Sequence, residues 1–206
     1  MKKNTIVKLL ALVVIISGIA VIIGWIFNIG ILKSILPSWT TMKFSAAISF
    51  VASGIMLYSI VIALEGNIDQ AQLIIPTAVL IIVLTMGIFF FSSLLNIRTG
   101  IEDLFVKEGS GAVKSITPGR PAVSTAVNFI LLSIAGMLTL VESKGLRSKL
   151  KIIGVTVALI GVVAVIGYIT NSPFLYYFIE GVSSAMACNT AILFIILGIG
   201  LICLSD

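Results

Sequence analysis

Six long apolar runs, at roughly 5–27, 43–64, 73–95, 122–141, 150–170 and 186–204, constrain this chain more than any other feature. A helix needs about 20 apolar residues to cross the hydrocarbon core of a bilayer. Each run is about that long. Backbone in hydrocarbon has no water to bond, so it must satisfy its own N–H and C=O groups, as helices and closed barrels do. The runs are continuous rather than alternating, which excludes spanning strands. Composition points the same way: 59% of residues are hydrophobic and 10% charged, against about a quarter charged in a soluble domain. Six spans with short loops use nearly all 206 residues. The expected fold is therefore all-α and integral to the membrane, a six-transmembrane-helix bundle forming a single membrane domain over 1–206. The first run follows Lys2 and Lys3, as a signal peptide would, but continues to about Phe27. That is longer than the roughly 7–15 residues of a signal core, so it is expected to be a retained helix.

Much chemistry is excluded. The chain has no histidine, which removes His-ligated metals and haem, His general bases and Ser-His-Asp triads. Phosphate-loop, dinucleotide and zinc spacings are absent from the sequence. The carboxylates Glu65, Asp69, Glu102, Asp103, Glu108, Glu142 and Glu180 all fall at run ends or in loops. Pumps and ion-coupled carriers use ionisable groups inside the membrane. Glu102 and Asp103 are expected to sit solvated on a surface segment. Cys188 and Cys203 share the last run. They lie about 20 Å apart at helical rise, too far for a disulfide. No enzyme activity, cofactor or metal is expected.

The formal net charge of +5 is spread along the loops, unlike the clustered stripe of a nucleic-acid-binding protein. Lys2, Lys3 and Lys8 fall on the same side as Lys144, Arg147, Lys149 and Lys151 under a six-helix count. The positive-inside rule makes that side cytoplasmic. A multi-pass plasma-membrane protein with both termini inside is expected.

The chain also repeats itself. Met42, Ala47, Phe50 and Gly54 have the spacing of Met186, Ala191, Phe194 and Gly198, and a weaker copy runs Pro121, Ala126, Phe129, Ser133. The preceding runs end alike, in Gly24–Asn28, Ser92–Asn96 and Gly167–Asn171. Three units of two helices follow, at about 1–64, 70–141 and 150–206. Each holds an even number of spans, so the repeats are parallel. The three connections between paired helices fall on the outer side. Ile31, Leu32, Ile35 and Leu36 with Trp39, then Ile101, Leu104 and Phe105, then Phe174, Leu175, Tyr176, Tyr177 and Phe178, suggest short interfacial helices. Trp39, Phe105, Tyr176 and Tyr177 would be their aromatic anchors. Gly109, Gly111, Pro118 and Gly119 make the second connection a long loop.

Polar residues recur near the outer start of each second helix: Ser45, Ser124 and Asn189, followed by Thr125 and Thr190 in two units. They serve either as caps and helix-packing groups or as a polar ring lining a pocket beneath the connections. Asn128, one turn further in, suits a hydrogen bond to a neighbouring helix. Asn28, Asn96 and Asn171 suit left-handed helix ends. Ser45, Ser49 and Ser53 form a small-residue packing strip.

This repeated unit resembles the multi-helix membrane region that opens many bacterial and archaeal sensor histidine kinases. In that family a short outer segment leads to a Met-x-Pro-Asn-Thr-Ala-Leu-x-Phe-Leu-Leu-x-Gly-like helix. Met186, Asn189, Thr190, Ala191, Phe194 and Gly198 fit the pattern, as do Thr117–Arg120 and Leu32–Pro37. Cys188 and Phe44 replace its proline. Such a receptor would continue past Asp206 into a PAS, kinase or cyclase module. The resemblance thus implies a stand-alone sensory module that perceives a lipid-soluble ligand or membrane state, signals through a protein partner and pairs as a homodimer. The rival expectation is a structural or accessory subunit of a larger membrane complex. A small transporter or channel would need the serine strip as its polar path.

Overall fold

The computed structural model describes residues 2–103, 106, 108, 113, 115, 117–141, 143–177 and 183–205. Leu104, Phe105, Lys107, Gly109, Gly111, Lys114, Glu142, Phe178 and Glu180 lie outside the described residues. The helices are α1 (Lys2–Ile26), α2 (Gly30–Lys33), α3 (Phe44–Leu64), α4 (Ile68–Leu94), α5 (Val123–Leu140), α6 (Leu146–Ile169) and α7 (Cys188–Ser205). All but α2 are long and apolar enough to cross a membrane. No strand occurs among the described residues. The six expected runs and the six long helices coincide to within a few residues, because continuous apolar sequence leaves the backbone no other way to satisfy itself in lipid.

Among the long helices, α6 packs on α7, α1 on α3, and α4 on both α3 and α5. Two of these pairs are stitched by glycine. A Cβ on Gly54 would lie 2.9 Å from the Ala11 carbonyl oxygen, and one on Gly18 would lie 2.9 Å from that of Ala47. In α6 and α7, a Cβ on Gly198 would lie 2.5 Å from the Gly154 oxygen, and one on Gly161 would lie 2.6 Å from the Ala191 oxygen. Small residues allow such backbone approach, and lipid supplies no competing hydrophobic drive, so van der Waals fit decides the pairing. At the termini end of the bundle, Glu65 accepts from Lys8 (2.8 Å) and Asn4 (3.0 Å), tying the start of α1 to the α3–α4 turn.

At the opposite end, α1, α4 and α6 finish in the same way. Asn28, Asn96 and Asn171 have φ of 55°, 51° and 52°. The next residue's N–H closes back on the carbonyl five residues earlier: Ile29 to Gly24 (2.8 Å), Ile97 to Ser92 (3.0 Å), Ser172 to Gly167 (2.8 Å). This is the Schellman closure, for which asparagine tolerates the left-handed backbone. Among the described residues, the segments that follow hold one turn each: α2, a 3-10 turn at Ile101–Asp103 and another at Pro173–Leu175. The first expected interfacial helix is a single turn, and the other two connections are described only in part. In the first connection, Ser34 Oγ donates to the Leu36 oxygen (2.8 Å) and Pro37 follows. The chain then folds back on itself rather than continuing a stripe.

Candidate functional site

The second helices of the three pairs converge on an aromatic cluster. Phe50, Phe129 and Phe194 are fully buried, with ring centroids 4.8, 4.9 and 4.9 Å apart and tilted or edge-to-face planes. Such geometry sets each ring's positive edge on its neighbour's negative face. It also closes the space between α3, α5 and α7 at that level. Asn128 is buried; its Nδ2 stands 3.5 Å from the Val157 oxygen of α6, and its Oδ1 has no partner among the described residues. The serine strip is buried too. Ser49 Oγ donates to the Ser45 oxygen (3.0 Å), while Ser45 Oγ and Ser53 Oγ have no partner among the described residues.

Among the described residues, Ser45, Ser124 and Asn189 each line a different cavity, at a different junction between helices. Ser45 and Ser124 do not cap their helix starts: the residues flanking α3 and α5 are Lys43 and Ala122, without side-chain cap bonds. Asn189 instead spans a junction. Its Nδ2 donates to the Lys33 oxygen (3.1 Å), and its Oδ1 accepts from the Thr190 N–H (3.1 Å). Thr125 and Thr190 are buried beside these positions.

Two junctions are open grooves. One, of about 340 Å³, lies between α5 and α6 beneath Leu175 and Tyr177, with Ser124 in its wall. The other, of about 270 Å³, lies between α7 and α1 beneath Leu32 and Ser34, with Asn189 in its wall. Both walls are mostly apolar side chains, and their rims include exposed Leu159, Val163, Ile31 and Ile192. The third junction, between α3 and α4, keeps only about 10 Å³. This is no more than a water-sized space. It is lined by Ser45, Phe89, Lys43 and Glu102.

That third junction is sealed by two buried ion pairs. Arg120 Nη2 meets Glu102 Oε1 at 2.8 Å and also donates to the Ile97 oxygen (2.6 Å). Their side chains are 8% and 0% exposed. Lys43 Nζ meets both Glu108 oxygens at 2.6 Å, and Glu108 also accepts from Thr41 Oγ1 and the Gly119 N–H. Glu102 is therefore not the solvated surface carboxylate expected from sequence. Arg120, 18 residues on, folds over it, and Thr99 completes its shell. Burial alone would raise its pKa, but the Arg120 bond and the backbone N–H groups outweigh burial and hold it at about 2. Burial pushes the Lys43 amine down, and Glu108 opposes this. Sequence distance hid both pairs; the only hint was a lone arginine just ahead of an apolar run.

Of the expected aromatic anchors that the structure describes, Tyr176 is buried and Trp39 and Tyr177 are half-buried. Tyr176 is buried and stacks on Tyr168 at 4.4 Å, and half-buried Trp39 meets Tyr168 at 4.8 Å. Tyr168 is the reason: its hydroxyl donates to the Met186 oxygen (2.9 Å), which fixes a ring for both to pack against. Trp25 does the same in the first pair, donating to the Met42 oxygen at 2.8 Å. Tyr177 is half-buried in the α5–α6 groove. Among the described residues, the most exposed large hydrophobic side chains on these connections are Ile31 and Phe174. Among the described residues no cluster of three Cys, Asp or Glu is placed to hold a metal.

No family model, curated protein or solved structure matches this chain. The fold and the junctions themselves must carry the functional reading.

Proposed function

We propose that this chain is a sensory-type membrane module. It perceives a lipid-soluble ligand or a membrane state at the connection end of the bundle and passes a change in helix packing to a protein partner. The observation that carries this reading is the pair of grooves: apolar, open to the side, and each walled by one recurrent polar residue, Ser124 or Asn189. A ligand shifts a packing equilibrium only by binding one arrangement better than another. Grooves between helix pairs are where such a difference would arise.

Three parallel two-helix repeats are the architecture we infer for it. The matched asparagine closures, the Phe50–Phe129–Phe194 cluster and the paired Trp25–Met42 and Tyr168–Met186 bonds support this reading. The basic clusters at the termini end support a cytoplasmic placement of both termini in the plasma membrane. The phenyl cluster speaks against a pore along the bundle axis.

A second reading, an accessory subunit of a larger membrane complex, is favoured by the glycine seams of α1–α3 and α6–α7, which suit a stiff scaffold. Isolation from the native membrane in mild detergent, followed by identification of what accompanies the protein, separates the two. Recovery alone, or with a substoichiometric soluble signalling protein, is expected for the sensory module. Stoichiometric recovery with the subunits of one assembly would replace that reading with the accessory role.

A further inference from the structure

The two grooves and the sealed junction occupy corresponding places. Aligning the asparagine closures and the recurrent phenylalanines sets Ser17 with Ile160, Ala20 with Val163, and Val21 with Ala164. Those residues line the α7–α1 and α5–α6 grooves respectively. The same alignment sets Ser34 with Tyr177 and with Glu102, and Asn189 with Ser124 and with Ser45. Each of these six also lines its own junction. At the place of Val21 and Ala164, α4 carries Phe89, buried at the sealed junction. The chain thus displays what fills such a groove: a hydrocarbon side chain below, with polar and charged groups packed above it (Lys43, Glu102 and Glu108).

We propose that each open groove holds one acyl chain of a bilayer phospholipid, and that Phe89 is the chain's own replacement for that lipid at the third junction. The occupant is fixed by three features. The walls are apolar, so hydrocarbon gains by leaving no void there. The openings are rimmed by lipid-exposed side chains such as Leu159 and Ile192, so a chain enters sideways from the bilayer without crossing water. The polar wall residues lie at the connection end, where a headgroup would sit. Ser124 Oγ has no hydrogen-bond partner among the described residues, which leaves it available to an ester or phosphate oxygen. The volumes, about 270 and 340 Å³, lie just below and at the low end of the range for small-molecule sites, which suits a single slender chain. This inference rests on the reading of the grooves as the ligand site, and names the ligand.

The test counts lipids. The protein is reconstituted in vesicles of phosphatidylethanolamine and phosphatidylglycerol, extracted in mild detergent and weighed by native mass spectrometry. Wild type is expected to retain two phospholipids. Ala164→Phe should retain one, and Val21→Phe with Ala164→Phe none. Phe89→Ala should retain three; should that variant not fold, the two filling variants decide the matter alone. Equal lipid counts in wild type and Ala164→Phe would overturn the proposal, since the lipid would then be annular. Retention of a non-phospholipid compound lost in Ala164→Phe would overturn the phospholipid while leaving the groove as a site. The count needs no partner. A correct count with stoichiometric recovery of the subunits of one assembly would sink the sensory reading alone, and a wrong count with the protein recovered alone or with a signalling protein would sink this one alone.

Discussion

The α4–α5 pair differs from the other two in how it is held. In α1–α3 and α6–α7, glycines at corresponding places bring backbone onto backbone: Gly18 and Gly54 in the first, Gly161 and Gly198 in the second. At those places α4 and α5 carry Met86 and Ser133, both buried. Bulk there forbids the same approach. What α4–α5 lacks in close packing is matched by a polar cap: Arg120 on Glu102 and Lys43 on Glu108, closing the junction with α3. Pro121 stands where Met42 and Met186 donate their N–H groups to the Lys33 and Tyr176 oxygens, so the connection into α5 lacks that bond as well. The α1–α3 and α6–α7 contacts are thus held by fit, and the α3–α4 junction by charge.

The largest effect should come from breaking the charge. Arg120→Leu leaves Glu102 buried and unpaired, a change that typically costs about 3–5 kcal/mol. Thermal unfolding in detergent should show it. A loss under about 1 kcal/mol, the level of an exposed pair, would mean that the cap does not hold the second unit.

Acid tests the same pair without mutation. The Glu102 pKa is depressed from its ordinary 4.5 to about 2. Its contribution is therefore fully present above about pH 4.5 and lost as pH falls through 2. The melting temperature should fall across that window. Glu102→Gln should start lower and lose this part of the slope. Hydrogen exchange should rise first near Ile97–Asp103, ahead of α6–α7.

Breaking the fit comes next. Gly198→Ala and Gly54→Ala should each destabilise by about 1–3 kcal/mol through overpacking. Ser133→Ala, at the corresponding place, should stay within about 0.5 kcal/mol, the range of changes that create neither a cavity nor a clash. Equal losses at all three would erase the distinction drawn between the pairs.

The smallest effects belong to what the pairs share. Asn28→Ala, Asn96→Ala and Asn171→Ala should each cost roughly 1 kcal/mol, the strain of an ordinary residue in the left-handed region, while the glycine variants should be near neutral. A loss confined to one unit would show that the three closures are not equivalent.

The sequence alone determined the six spans, because continuous apolar runs admit only helices in lipid. It also determined the three asparagine helix ends, because few residues other than glycine enter the left-handed region readily. The recurrence of phenylalanine was legible as a pattern, but its meeting point between three helices was not. Tertiary structure decided what depends on which surfaces face one another. It sent Ser45, Ser124 and Asn189 to three separate junctions, turned Tyr176 inward onto Tyr168, and brought Arg120 to Glu102. It also made Phe89 fill one junction while Val21 and Ala164 left two open. A periodic apolar pattern says that a face is buried but not against which neighbour, and a charge in a loop carries no mark of the partner that will cover it.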